Sequence, residues 1–184
     1  LDHLTEILRR ALKSGTPQVV QILGEGGLGK SRLRKDFILA LDSMLTSPYQ
    51  YLEGEARSLS REQPFHAIGD VLRRAARLEA DCTEEQARQA LGQMASRWTV
   101  EDDDDVLTEL ITYAAGKGTI ASPALKALHD KPARLRARII DAIEQLLAGA
   151  SHESPLILCI DNGEHIDQPT VDALARVSTL GEGH

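Results

Sequence analysis

Residues 24–31, GEGGLGKS, restrict the folds open to this chain more than any other stretch. A short β-rich apolar run, QVVQIL (Gln18 to Leu23), precedes them, and RLRKDFILALDSML (Arg32 to Leu45) follows with apolar residues at helical spacing. The order strand, glycine-rich loop, helix fits the pattern G-x-x-x-x-G-K-[ST], with Gly24, Gly29, Lys30 and Ser31 in its fixed places. Glycine lets a backbone curl so that several N–H groups point at a phosphate chain. The start of the next helix adds unpaired N–H groups and the positive end of its dipole. The pattern therefore predicts a nucleotide site lined by Gly24, Glu25, Gly26, Gly27, Leu28, Gly29, Lys30, Ser31 and Arg32. In such a site Lys30 neutralises the β- and γ-phosphates and the Ser31 hydroxyl holds Mg²⁺.

At 184 residues the chain suits one domain with a core of its own. Aromatic residues make up only 3%, so that core must rest on Leu, Ile, Val and Ala. The net charge of -7 comes without a basic stripe, which argues against direct contact of this segment with nucleic acid. Cys82 and Cys159 match no metal or redox spacing, so a reducing, cytoplasmic setting is expected. No apolar run reaches membrane-spanning length.

Leu1, Leu4, Leu8 and Leu12 predict a first amphipathic helix, closed by Gly15 and Pro17. The helix after the loop is expected to bury Leu33, Phe37, Leu41 and Leu45, with Arg32, Arg34 and Lys35 facing solvent or phosphate. Tyr49 to Gly54 reads as a second strand and Ala56 to Pro64 as a loop, with Pro64 in the first turn of a helix. That helix turns Phe65, Ile68, Leu72 and Ala75 inward and Arg73, Arg74 and Arg77 outward, and His66 reads as a surface residue. Thr83 with Gln86 marks a further helix start, followed by the stripe Ala87, Leu91, Met94 and Trp98. The acidic run Glu101 to Asp105 reads as a solvated link at a helix start rather than a metal site. Leu135, Ile139, Ile143, Leu146 and Leu147 predict a long helix from Ala133 to Ala150.

Leu156 to Ile160 is a continuous apolar run ending in Asp161, the pattern of a fully buried parallel strand. A carboxylate at the C-terminal end of such a strand lies where nucleotide sites form in open α/β sheets, which makes Asp161 the candidate Mg²⁺ partner of Ser31. Many such ATPases place a glutamate next, to orient the attacking water. Here that position is Asn162, which can hold a water but cannot take its proton. Glu164 and His165 are the substitutes the sequence offers, so Asn162, Glu164 and His165 form the candidate catalytic set and turnover is expected to be slow.

With both halves in place, the chain resembles the AAA-like ATPase module of signal-transduction ATPases with numerous domains. That group includes large bacterial transcriptional regulators and ATPases fused to nucleotide cyclases. The resemblance is carried by LTEILRRAL, VVQILGEGGLGKSRL, YLEGEARSLSREQPFHAIGDVLRR and PLILCIDNGEHIDQPTVDALARV, in that order. It implies ATP and Mg²⁺ as ligands and a nucleotide state that switches contacts with neighbouring helical, winged-helix or repeat domains. Nucleotide-dependent oligomerisation is among the modes it allows. The family's Gly-Arg pair before the first helix and its later sensor strand, which separates the phosphate-loop strand from the Asp161 strand, are absent, so a truncated module with an incomplete sheet is expected.

The expected fold is α/β: a three-layer P-loop NTPase with a parallel sheet and a large helical insertion, about 66–150, before the Asp161 strand. The leading function is an ATP–Mg²⁺ binding regulatory switch with weak ATPase activity. Its rival is a helical protein-interaction module with a vestigial phosphate loop. A small-molecule or nucleotide kinase would want an arginine-bearing lid, and the Arg73 and Arg134 regions are poor lids. A DNA-loading ATPase fits badly with the acidic balance.

Overall fold

The computed structural model describes residues 1–58, 63–99, 105–128 and 130–179. Its first helix, α1 (Asp2–Ser14), ends on Gly15 in the left-handed region, which lets the Gly15 N–H bond back to Ala11. The glycine-rich loop then opens α2 (Lys30–Met44), and a turn leads to strand β1 (Gln50–Glu55). Among the described residues, five helices separate β1 from its partner: α3 (His66–Ala75), α4 (Glu84–Trp98), α5 (Asp105–Ala114), the single turn α6 (Pro123–Lys126) and α7 (Pro132–Glu153). Strand β2 (Leu156–Asp161), a 3₁₀ turn at Gly163–His165 and α8 (Gln168–Ser178) complete the described chain.

The two strands pair in parallel, from Gln50 opposite Leu156 to Glu55 opposite Asp161. Mixed helices around a parallel pair agree with an α/β, P-loop-like fold. One face of β1 is apolar: Leu52 enters the core, and Gly54 lies against Val71 of α3. A Cβ at Gly54 would stand 2.5 Å from Val71 Cγ2, so the helix can approach only a glycine there. The core lies above this face, where α4 packs on α5, both pack on α7, and α7 packs on α8. Ile68, Leu91, Ile111, Ile139, Ile143 and Leu146 are among its most buried members, and the predicted stripes of α4 and α7 point inward. Local chemistry fixes the helix starts. Thr83 and Gln86 form a reciprocal capping box on α4, and Ser122 caps α6 ahead of Pro123.

Several expectations change. Gln18 to Leu23 forms no strand: it has no ladder partner among the described residues, and Val19 and Leu23 are 77% and 80% exposed. A strand needs a neighbour to take its N–H and C=O groups, and the only ladder described is β1–β2. Strand β2 is half-buried throughout rather than fully buried, since it carries a single ladder. In α2 only Leu41 is buried; Leu33, Phe37 and Leu45 remain half-covered. Helix α3 starts at His66, with Phe65 in the left-handed region and Pro64 in the preceding turn. The reading of Glu101 to Asp104 lies outside the described residues, while Asp105 begins α5 and pairs with Arg88 at 2.7 Å.

Candidate functional site

Two pieces carry the site residues read from the sequence, and the structure organises each differently. In the glycine-rich loop Gly27 (φ 83°) and Gly29 (φ 89°) take the left-handed conformation. A Cβ at either would meet no neighbour within 4 Å, so it is backbone freedom rather than lack of room that asks for glycine here. The Gly29 carbonyl accepts the Leu33 N–H at 2.8 Å, the first closed turn of α2. Lys30 folds back over the loop, its Nζ donating to the Gly24 carbonyl at 2.6 Å and the Glu25 carbonyl at 3.0 Å. Ser31 and Arg32 are exposed, and Arg32 pairs only loosely with Asp36 at 3.8 Å. A looped backbone, a helix N-terminus and a flexible ammonium are a donor set suited to a polyphosphate and poorly suited to a cation.

The second piece is the shared C-terminal end of β1 and β2. The Ala56 N–H donates to the Asp161 carbonyl at 3.0 Å and carries the ladder one step past the strands. Asp161 Oδ1 accepts the N–H of Asn162 at 2.9 Å, and Asn162 itself sits at φ 56°. From there the Asn162 side-chain amide reaches across to Glu55 Oε1 at 3.1 Å. The 3₁₀ turn follows, with Glu164 exposed and His165 half-buried. Neither side chain makes a hydrogen bond or ion pair among the described residues. So the structure joins Asp161 and Asn162 to Glu55, a residue the sequence reading passed over because it ended the strand at Gly54. Alternation along β1 was the available signal: Tyr51, Glu53 and Glu55 share the face opposite Leu52 and Gly54.

No hydrogen bond or ion pair joins Gly24–Ser31 to Asp161–His165 among the described residues; the link between the pieces is Arg34. Expected to face solvent or phosphate, Arg34 is half-buried and donates to Glu53 Oε2 at 3.0 Å. Burial opposes its charge, but Tyr51, Cys159, Glu53 and Asp161 outweigh that and raise its pKa above the ordinary value. Of the arginines expected to face outward, Arg74 stays exposed and Arg73 is half-buried, and both are held by ion pairs. Arg74 binds Asp70 at 2.8 Å and Glu53 at 3.4 Å, and Arg73 binds Asp70 at 3.1 Å and the Ala115 carbonyl at 2.6 Å. Asp70 also accepts the Glu55 N–H at 3.0 Å. Burial raises the pKa of Asp70, yet that N–H bond and the two arginines prevail and hold its carboxyl below the usual range. The pairs with Asp70 lie within one helical turn, at i,i+3 and i,i+4, whereas Glu53 and the Ala115 carbonyl are distant in sequence and no local pattern marks them.

Asp167 is another residue the sequence reading missed. Nearly buried, it accepts the N–H groups of Phe65 and Thr170 through Oδ1, at 2.8 and 2.9 Å. Through Oδ2 it accepts the Ala67 N–H and the Thr170 hydroxyl, at 3.1 and 2.8 Å. It caps α8 and fastens the start of α3 to the turn after Asp161. The run Asp167-Gln-Pro-Thr170 is a helix-start pattern that could have revealed the cap, although not its second role.

A parallel pair with an acidic C-terminal edge and a glycine-rich loop that opens a helix agree with an α/β chain of the P-loop class. Comparison with known families agrees and goes further: the model of the AAA ATPase domain matches residues 1–183. The chain belongs to the AAA ATPase domain family. Membership points to nucleotide binding, usually with Mg²⁺. No curated protein and no solved structure was found to match. No helix among the described residues is long and apolar enough to cross a membrane.

Proposed function

We propose that this chain is an ATP–Mg²⁺ binding switch with weak ATPase activity, working inside a cytoplasmic multidomain protein of the signal-transduction ATPase type. The observation that carries the reading is Lys30, whose ammonium is held over its own loop by two carbonyls and no carboxylate. A phosphate chain arriving there meets a free positive charge and the N-terminal amides of α2. On this reading Gly24 to Gly29 wrap the phosphates, Lys30 neutralises them, and Arg32 stands at their edge. Mg²⁺ is held by the Ser31 hydroxyl and, through water, by Asp161. The helices of about 66–150 form the insertion that meets neighbouring domains as the nucleotide changes, and oligomerisation follows the same state.

Thermal melting with and without ATP–Mg²⁺, on the parent and on Lys30→Ala, tests this. A ligand that binds only the folded state at a hundred times its Kd adds about 2.7 kcal/mol. The parent should shift upward and the variant should not, while their unliganded midpoints agree because Lys30 contributes nothing to the core. A parent with a cooperative melt and no shift would favour an interaction module with a vestigial loop.

A further inference from the structure

If the loop binds ATP, hydrolysis needs a group to orient water, and position 162 carries an asparagine. Glu164 and His165 stand in the turn beyond it, and neither side chain is held by any hydrogen bond or ion pair among the described residues. Glu55 differs on every count. It is the last residue of β1 and lies in register with Asp161. Its Oε1 is held by the Asn162 amide at 3.1 Å and its own N–H by the nearly buried Asp70 at 3.0 Å. Arg57 and Arg74 stand 3.7 Å from Oε2, near enough to steady the charge without closing a short bond. The side chain is 39% exposed, so water reaches it. This edge is the C-terminal end of a parallel pair, where open α/β sheets meet their ligands.

We propose that Glu55 supplies the carboxylate that orients the attacking water, with Asn162 as its positioning partner. The proposal rests on the nucleotide-binding reading above. Glu55 accepts a hydrogen bond from the water, whose oxygen bonds to the γ-phosphorus. The bond from that phosphorus to the β–γ bridging oxygen breaks, its electron pair leaves with ADP, and the water's proton ends on the released phosphate. The carboxylate usually found after the strand-ending Asp has in effect changed places with an amide on the neighbouring strand.

The test measures ATP turnover at saturating ATP–Mg²⁺ together with the nucleotide-induced melting shift. Glu55→Ala should lower turnover about a hundredfold, the ordinary scale for a positioned proton acceptor, and keep the melting shift. Glu55→Gln, which preserves shape and can still accept from Asn162, should fold like the parent and fall in between. The double exchange Glu55→Asn with Asn162→Glu returns a carboxylate to the site one strand spacing away, about 4.8 Å, and should recover most of the rate. A purely structural role for Glu55 predicts no such recovery. Parental turnover in both Glu55→Ala and Glu55→Gln overturns the proposal and leaves nucleotide binding standing. So does a parent that shifts with ATP–Mg²⁺ yet never hydrolyses it. A parent that shows no shift overturns the binding reading instead.

Discussion

Residues 1–45 and the helical block that follows β1 treat their apolar side chains in opposite ways. The buried cluster draws on β1 and α3 to α8 and includes nothing from α1, the glycine-rich loop or α2. In the first segment Val19, Leu23, Leu28 and Leu39 are all more than two-thirds exposed, and Leu41 is the one large apolar residue fully covered. Among the described residues its side-chain hydrogen bonds to the chain beyond are Arg34 to Glu53 and Tyr49 to Asp42. The segment with the most specific sequence is thus the least anchored. Loop motions and ligand response are drawn from such low-stability regions, while global stability resides in the block.

The widest gap should appear between two leucines. Leu146→Ala empties a fully buried place in α7 and should cost about 2–5 kcal/mol in denaturant unfolding. Leu39→Ala on the outer face of α2 should stay within about 0.5 kcal/mol. Equal costs would break the comparison. Asp167→Ala, which orphans N–H groups of α3 and α8 at once, should cost about 3 kcal/mol and speed amide exchange at Phe65 and Ala67.

The smallest effect concerns pH. Burial, then the charges of Arg73 and Arg57, disfavour the His66 imidazolium more than Asp70 and Asp167 favour it, so its folded pKa lies below 6.5. The unfolded chain therefore protonates first as pH falls. Stability linked to His66 is complete above pH 6.5 and is lost as pH drops through the folded value. Melting midpoints of the parent should decline over that window, and His66→Gln should flatten the decline while leaving the later acid loss from Asp70.

What was legible in the sequence follows from how local each cause is. The capping box at Thr83 and the stripe Leu135, Ile139, Ile143, Leu146 are written within one or two helical turns, and both stand where expected. Gln18 to Leu23 has the composition of a strand, but a strand exists only with a partner, and composition names none. The loop glycines were readable because their reason is backbone conformation. Glu55 and Arg34 were not, since each is fixed by a residue brought near only by folding. Asp161 could be placed at the strand end but not matched to Glu55, whose partnership depends on register.

The parallel pairing has a consequence in time. Gln50 and Leu156, and every pair after them, lie more than a hundred residues apart, with α3 to α7 between. Bringing them together early would carry the closure entropy of a very long loop, and contacts of that span slow folding. The helices between them form local contacts first and shorten the distance as they pack. The acidic edge that holds Glu55 beside Asn162 is then expected to close late, after α7 has docked, so that a newly made chain acquires its helical core before its paired strands. A slow final phase in refolding, seen by a probe at Glu55 and absent from one in α7, is the signature this order would leave.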